Sequence, residues 1–215
     1  MLPPQPTPIL RLIHIRNLHV YLARCGIHAP NQEPEDGLVY QPNHDVEIQQ
    51  KRGIEAVPCD PGGVVHDYVP FYFGYLSPMM LQLKTNRVSG YTEGQEPLIY
   101  LVSTAQVIRD SGTGFVFSDG HGIAAFTEWF NDLADLDKVD WGMVNERYWK
   151  EEPRDVDRQR RKQAEFLVSR FCGWELIQKI VVIDPTMQRG VKEILKNYSE
   201  DLRRPVQVKS DWYYH

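Results

Sequence analysis

Apolar residues along the chain fall into short segments that two long polar stretches separate. Continuous or alternating apolar runs predict strands at residues 9–15, 68–73, 98–102, 115–117 and 205–209, the last at a sheet edge, and core segments at residues 164–171 and 177–184. Helical spacing predicts helices at residues 18–25, capped by Gly26, at residues 79–83 and at residues 191–195. The alternation of the two element types indicates mixed α and β content.

The two polar stretches cover residues 27–63, with a helical patch at residues 44–52, and residues 118–163, with short helical pieces up to about residue 149. Irregular segments of this length inside a compact domain are usually functional, often as lids or binding elements. No internal repeat or linker divides the chain. We therefore expect one domain over residues 1–215, with a small mixed sheet interrupted by two functional loops.

Composition adds limits on the class of protein. The chain has 215 residues, of which 42% are hydrophobic and 25% charged, as in an ordinary globular domain. Its 24 basic and 29 acidic residues give a net charge of -5, so a nucleic-acid site has to be local. One local run of cations joins Arg158, Arg160, Arg161 and Lys162. The ordinary interpretation of such a run is a solvated helix face.

The sequence also argues against several locations and chemistries. Four prolines within the first fifteen residues, with no basic segment followed by an apolar run, predict neither a signal peptide nor a membrane span, and favour the cytoplasm. Cys25, Cys59 and Cys172 are too widely spaced for a disulfide framework or a paired metal site. Phosphate-loop, GxGxxG, HExxH and GxSxG motifs are absent from the sequence, so we expect no metal and no Rossmann, kinase or common hydrolase chemistry.

Polar residues inside apolar segments are the remaining candidates for chemistry. His14 lies between two isoleucines, where a histidine is more often a satisfied core residue. Gln163 and Glu165 are two residues apart in an extended segment and therefore point the same way. A carboxylate in an apolar run must be paired or functional, because unpaired burial is costly. The aromatic run over residues 67–81 is typical of core packing, although some of its rings could serve for stacking.

An early-strand histidine and a late Gln-x-Glu are together expected where NAD⁺ is cleaved at its glycosidic bond. The histidine can bind a ribose or the nicotinamide region through hydrogen bonds. The glutamate can contact the nicotinamide ribose and stabilise the positive charge that develops on it.

Five segments carry a resemblance to a known family: LIHIRNLHVYLARCGI, DYVPFYFGYLSPMML, IYLVS, FVFSDGHGIAAFTEWFNDLADLDKVDW and DRQRRKQAEFLVSRFCGWELI. Across roughly residues 9–184 the chain resembles the DarT family of DNA ADP-ribosyltransferases. The resemblance implies an α+β ADP-ribosyltransferase fold with a split mixed β-sheet core, peripheral helices and NAD⁺ in the cleft. It also implies a toxin that moves ADP-ribose from NAD⁺ to a base in single-stranded DNA, with thymidine favoured in a short sequence context.

The same resemblance implies the site residues. Glu165 is the expected catalytic glutamate, and Arg52 in KRG is the expected catalytic arginine, which also contacts NAD⁺. The dinucleotide pocket is expected to contain His14, Ile15, Arg16, Arg52, Tyr72 and Phe73, under a loop spanning about residues 32–53. Many family members have threonine where this chain has Arg16. DNA is expected to contact His121, Tyr148, Trp149, Arg154, Arg158, Arg160, Arg161 and Lys162.

The expected partners are single-stranded DNA and a macrodomain antitoxin that reverses the modification, with no membrane partner. Three alternatives stay open at this stage. The acceptor could be guanine, as in a sister group of the family, or the acceptor could be RNA or protein. A third reading is a catalytically silent nucleic-acid-binding module, for which replacement of Glu165 would change no measurable property.

Overall fold

A computed structural model of the protein describes residues 1–42 and 44–215. Its strands are β1 (Pro8–His14), β2 (Gly26–His28), β3 (Tyr68–Tyr72), β4 (Leu98–Thr104), β5 (Phe115–Ser118), β6 (Trp129–Phe130), β7 (Glu165–Ser169), β8 (Phe171–Gly173), β9 (Lys179–Val182) and β10 (Val206–Val208). Its helices are α1 (Leu18–Ala23), α2 (Val46–Arg52), α3 (Pro78–Lys84), α4 (Ala105–Asp110), α5 (Trp141–Asn145), α6 (Arg158–Lys162) and α7 (Pro185–Lys196).

Eight of these strands form one sheet in the order β10-β9-β4-β1-β3-β7-β5-β6, and β2 and β8 pair separately. The β9–β10 pair is parallel and the other pairs are antiparallel, so the sheet is mixed. Helices surround this sheet, which confirms the expected α+β class. The terminal strand β10 lies at the sheet edge, as its sequence position suggested. None of the helices in the described ranges is long and apolar enough to cross a bilayer.

Three boundaries differ from the sequence-based expectation for local reasons. Cys25, with φ of 52°, takes the left-handed position after α1, and Gly26 opens β2 instead of capping the helix. The expected core segment at 164–171 is divided at Arg170, whose φ of 62° separates β7 from β8. Helix α7 begins earlier than its apolar spacing suggests because Asp184 caps it, accepting a hydrogen bond from Met187 N at 2.8 Å.

The main sheet opens between β1 and β3. Strand β1 pairs with β4 along all seven of its residues, but with β3 it has the single registered pair Leu10–Tyr72. Pro70 of β3 faces this opening through its carbonyl, which accepts a hydrogen bond from Arg11. In an antiparallel strand the N and O of one residue point to the same edge, so the N–H that proline lacks is missing on the side of β1. The ladder is interrupted there, and a cleft results.

Aromatic side chains fill the core beside the cleft. Phe73, 3% exposed, meets Phe117, Trp141 and Phe166 edge to face, with the ring centroid of Trp141 at 5.2 Å. Offset and edge-to-face aromatic contacts stabilise a core beyond simple burial. Phe73 was expected in the dinucleotide pocket. Instead it packs in the core, because the chain leaves β3 after Tyr72 and turns this ring away from the cleft.

Candidate active site

A cavity of about 750 Å³ lies at the opening of the sheet. This volume is in the range of small-molecule sites, which are usually preformed clefts. The cavity is lined from β1, β3, β7, α2, α6 and the loop after β5, by residues that include Arg11, Asn17, Arg52, Tyr72, His121, Gln163 and Glu165. The two polar residues of the Gln-x-Glu pattern therefore face the same cavity, although Gln163 lies in the turn that ends α6 and not in an extended segment with Glu165.

Glu165 and Arg52 form a buried bidentate pair in the cavity wall. Arg52 Nη1 donates to Glu165 Oε1 at 3.0 Å and Nη2 donates to Oε2 at 2.8 Å. The Gly122 amide donates to the same Oε1 at 3.0 Å. Glu165 is 1% exposed and Arg52 is 5% exposed. The carboxylate entering an apolar run is thus paired, and its position is fixed by three donors.

Each member of this group comes from a different part of the chain. Glu165 opens β7, directly opposite Tyr72 at the end of β3. Arg52 ends α2, where the helix dipole favours a cation, and Asp45 caps the other end of that helix by accepting from the amides of residues 47 and 48. Gly122 lies in the loop after β5. A sequence separation of 113 residues between Arg52 and Glu165 is closed only by the fold.

Glu165 and Arg52 each stabilise the ionised form of the other. Burial raises the pKa of Glu165, but the Arg52 guanidinium and the Gly122 amide outweigh burial and hold that pKa below its ordinary value. Burial likewise disfavours the charged form of Arg52, while Glu165 raises the net pKa of the guanidinium. Both groups are therefore ionised at neutral pH, and the cavity wall holds a carboxylate that is shielded from water.

The neighbouring titratable groups stay neutral. Burial and then the nearby Arg52 lower the pKa of His66, and burial also lowers the pKa of His121 although Glu165 opposes it. Burial and the charge of Glu165 raise the pKa of the Tyr72 phenol. The neutral imidazole of His121 can therefore accept a hydrogen bond at its unprotonated ring nitrogen, and the phenol of Tyr72 can donate one.

The loop after β5 is stabilised by its own hydrogen bonds. Ser118 Oγ donates to Gly120 O at 2.7 Å, and Thr127 Oγ1 donates to His121 O at 2.8 Å. A side chain at position 122 would bring its Cβ within 3.4 Å of Glu165 Oε1 and 3.3 Å of the Trp129 ring. Glycine at this position lets the backbone amide approach the carboxylate.

The cationic run on α6 is compensated by acidic residues. Arg160 pairs with two aspartates: its Nη1 lies 2.8 Å from Asp119 Oδ1, and its Nε lies 2.7 Å from Asp157 Oδ1. Arg161 pairs with Asp140 and Asp155. The run is thus neither a solvated face nor a row of free cations for DNA phosphates.

Lys162, at the end of that run, also has internal partners. It is 2% exposed, and its Nζ donates to the carbonyls of Val144 and Glu146 at 2.7 Å. Burial lowers the pKa of this amine to about 8. The expected contact of Lys162 with DNA phosphates is corrected here, because the amine faces the interior and replaces its hydration with two backbone carbonyls.

The expected histidine on the first strand lies beside the cavity and not in its lining. His14 is 1% exposed, and its Nδ1 accepts from the Arg16 amide at 3.1 Å. The Arg16 side chain is exposed and paired with Glu93. Arg11 and Asn17, three residues before and after His14, line the cavity instead. A charged residue at position 11 of an apolar strand was the sequence signal for this, and the motif at 14–16 drew attention from it.

Two aromatic rings on segments that adjoin the cavity lining are exposed. Tyr148, expected at the DNA, is 77% exposed, and the backbone carbonyl of Tyr148 accepts from Arg158. Phe126, 86% exposed on the loop after β5, was missed by sequence reasoning because its surroundings resemble a core segment. Trp149 is half-buried, with Nε1 donating to the Tyr214 hydroxyl at 2.8 Å, whereas Arg154 is exposed. Exposed rings next to a cavity can stack on nucleic-acid bases.

The arrangement suits chemistry in which positive charge develops inside the cavity. A fixed carboxylate in a site that excludes water stabilises such charge without reorganising. Within the described part of the chain, no cluster of three or more His, Cys, Asp or Glu side chains could hold a metal ion.

Comparison with known proteins gives a consistent result. A family model described as DarT, ssDNA thymidine ADP-ribosyltransferase, matches residues 10–214. The chain is 39% identical over 213 residues to a DNA ADP-ribosyl transferase of Thermus sp. (strain 2.9), covering 98% of both proteins. A solved structure of Thermus sp. 2.9 DarT with ADP-ribosylated ssDNA matches with a TM-score of 0.93 and 38% identity, over 100% of this chain and 99% of that chain. The NAD⁺ complex of that protein matches with a TM-score of 0.87 and 37% identity, over 99% and 100%.

Proposed function

The chain belongs to the DarT family of ssDNA thymidine ADP-ribosyltransferases, and on that premise we propose that the cavity at the split sheet carries the reaction. The protein is an NAD⁺-dependent DNA ADP-ribosyltransferase that transfers ADP-ribose to thymidine in single-stranded DNA. We assign residues 1–215 to a single catalytic domain. The observation that carries this assignment is the ionised, buried Glu165, held by Arg52 and the Gly122 amide in the cavity wall.

We propose that Glu165 stabilises the ribosyl group of NAD⁺ during bond cleavage. The glycosidic C–N bond breaks, its electron pair leaves with nicotinamide, and positive charge develops at the anomeric carbon. The carboxylate stabilises that charge in a site where water screens it little. The N3 nitrogen of thymine then bonds to the anomeric carbon and loses its proton. We assign the role of proton acceptor to His121, whose imidazole is neutral because burial lowers its pKa.

We assign Arg52 to the acceptor base as well as to Glu165. A guanidinium with a pKa above roughly 12 is not a proton acceptor at neutral pH, so its contribution is electrostatic. It stabilises the thymine as negative charge builds on it. Tyr72, the registered neighbour of Glu165 on β3, completes the nicotinamide end of the pocket. We propose that His14 and Ile15 position the end of β1 and that Arg16 lies near the rim of the cavity.

The acceptor base is tested directly with oligonucleotides. We expect incubation of the pure protein with NAD⁺ and single-stranded oligonucleotides, each lacking one base, to leave the strand without thymine unmodified and to add ADP-ribose to strands that keep thymine in its preferred sequence context. Mass spectrometry of the oligonucleotide measures the product. Loss of the product from the guanine-free strand alone would show guanine transfer, and modification of RNA or protein but not of DNA would overturn the proposal. Duplex versions serve as the control, since an unpaired base avoids the cost of flipping.

We propose that the DNA strand stacks on Phe126 and Tyr148. Both rings are more than three-quarters exposed, and the segments that bear them adjoin cavity-lining residues, Ala124 and Glu151 respectively. Because Arg160 and Arg161 are compensated by aspartates and Arg158 pairs with Glu152, stacking takes over part of the affinity that we had expected from these cations, with the exposed Arg154 at the phosphates.

Replacement of Phe126 by alanine is therefore expected to raise the KM for a single-stranded oligonucleotide by about tenfold, since stacking of a base on a ring stabilises by about 1–3 kcal/mol. Steady-state kinetics with varied oligonucleotide measures the effect. Phe126→Trp should keep the wild-type KM, and Phe126→Leu should have a raised KM like that of Phe126→Ala. This comparison separates stacking from apolar contact. An unchanged KM in Phe126→Ala, or an altered KM for NAD⁺, would contradict this DNA path.

The family resemblance further leads us to propose a macrodomain antitoxin as the biological partner, which removes ADP-ribose from the modified base. A base that carries ADP-ribose at a pairing nitrogen cannot be copied, so a cell that holds this enzyme needs the reverse reaction. We place the enzyme in the cytoplasm, where NAD⁺ and single-stranded DNA are both available.

A further inference from the structure

Arg11 lies at the point where the main sheet opens. It is on β1, beside the single registered pair between β1 and β3, and its Nη1 donates to the carbonyl of Pro70 across the opening at 2.9 Å. The side chain is half-buried and lines the cavity. Arg11 therefore carries a guanidinium into the cleft from the strand on which the resemblance had indicated His14.

One donor of this guanidinium is left without a protein partner. Arg11 Nε is buried, and no hydrogen-bond acceptor within the described ranges contacts it. A buried donor without an acceptor is costly, and functional sites are where such groups are found. Nη1 is held by the Pro70 carbonyl and Nε is buried, so Nη2, which has no protein acceptor among the described residues, is the donor that a ligand in the cavity can reach.

The charges around the cavity single out the same residue. Among its cations, Arg52 is paired with Glu165, and Arg160 is paired with two aspartates. Four histidines line the cavity, and burial lowers the pKa of each, so they are neutral near pH 7: His28, His44, His66 and His121. Arg11 has no carboxylate partner anywhere in the part of the chain that the structure describes.

We propose that Arg11 binds the pyrophosphate of NAD⁺, an inference that rests on the proposed function. The pyrophosphate carries two negative charges, and their transfer from water into a half-buried cleft requires a cation whose charge is not already neutralised. A guanidinium presents its donors in a plane that fits phosphate oxygens. Arg11 supplies this charge at the opening of the sheet, away from the exposed rings at which we place DNA.

Replacement of Arg11 by methionine is expected to weaken the binding of NAD⁺ and of ADP-ribose by about tenfold to a hundredfold. Isothermal titration calorimetry with NAD⁺, ADP-ribose and adenosine measures this, and the affinity for adenosine, which has no phosphate, should not change. The KM for NAD⁺ should rise while the KM for the oligonucleotide stays the same. Loss of the charge should also flatten the salt dependence of NAD⁺ affinity.

Three further variants make the result decisive. Arg11→Lys keeps the charge without the planar fork and should bind with intermediate affinity, and Arg11→Gln keeps a hydrogen-bond donor towards the Pro70 carbonyl without the charge. Arg109→Met removes the same charge from a surface helix, where Arg109 pairs with Asp110, and should bind like wild type. Thermal melting of each variant detects any loss of folding.

Wild-type affinity for ADP-ribose in folded Arg11→Met or Arg11→Gln overturns the assignment. A raised KM for the oligonucleotide with an unchanged KM for NAD⁺ also overturns it and moves Arg11 to the DNA phosphates. If the proposed function is wrong, the result is different: the wild-type protein itself would transfer no ADP-ribose to DNA, whatever the Arg11 variants bind.

Discussion

Replacement of Glu165 by glutamine is expected to lower the rate of ADP-ribosyl transfer by about a thousandfold while NAD⁺ and DNA still bind. Glutamine has nearly the same shape but no charge. Two unit charges about 4 Å apart interact by about 4 kcal/mol at an effective dielectric constant near 20, and a loss of that size corresponds to about three decades in rate. Because the positive charge on the ribose exists mainly in the transition state, ground-state affinity should change little. Single-turnover kinetics with calorimetric NAD⁺ titration measures both quantities.

The variant has to be separated from a loss of folding. Glutamine cannot accept hydrogen bonds from Arg52 and Gly122 as a carboxylate does, and it leaves the guanidinium without a counter-charge. Glu165→Asp keeps the charge and should keep most of the stability, but it should still lose rate because the carboxylate is displaced by one methylene. Near wild-type turnover in Glu165→Gln would remove the carboxylate from the mechanism.

Replacement of Arg52 by methionine is expected to impair both stability and catalysis. It leaves Glu165 buried without its cation, and breaking a buried pair in this way typically costs about 3–5 kcal/mol of unfolding free energy. Loss of the charge that stabilises the thymine should lower transfer by about a hundredfold to a thousandfold. Chemical denaturation measures the first effect and oligonucleotide modification measures the second. Arg52→Met with Glu165→Gln should be more stable than Arg52→Met alone, because the buried charge is gone.

The pH dependence of stability should also change sign in Arg52→Met. In the wild-type protein the pKa of Glu165 is depressed, so its contribution to stability is present above the unfolded value of about 4.3 and is lost as pH falls through the folded value. Without Arg52, burial should raise the folded pKa above about 4.3, and the contribution is then lost as pH rises through that raised value. The difference in stability between variant and wild type should therefore widen from pH 5 to pH 8.

An identical pH profile for the two proteins would show that Arg52 does not set the ionisation of Glu165. The matched control is again Arg109→Met, which removes an exposed cation and should leave the profile unchanged.

Several features could be read directly from the residue pattern. The apolar runs located the major strands, because side chains in a strand alternate between faces and the buried face has to be apolar. Gln163 and Glu165 both reach one cavity, but Gln163 does so from the turn that ends α6 and Glu165 from the first position of β7, so strand alternation is not the cause. The cost of an unpaired buried carboxylate predicted a partner for Glu165, although it could not say which of the cations that partner was.

Other features needed contacts between distant segments. The cations on α6 resemble a DNA-binding strip in sequence, yet four aspartates compensate two of them: Asp155 and Asp157 from the turn before α6, and Asp119 and Asp140 from segments further away in the chain. The role of His14 was transferred from a resemblance, while the opening between β1 and β3 placed Arg11 in the cleft three residues earlier. The sequence of β1 alone does not predict which of its residues faces the cleft, because this depends on where β3 stops pairing with β1.

The sequence by itself indicated the family through its resemblance to DarT, and it indicated mixed α and β content and the carboxylate in the core segment at 164–171 because local periodicity and burial cost act within a few residues. The tertiary structure alone decided which charges are free. Pairing, shielding and exposure depend on groups brought together from far apart in the chain: Arg52 meets Glu165, Arg160 meets Asp119, Arg161 meets Asp140, and Arg11 is left with no carboxylate partner in the described part of the chain.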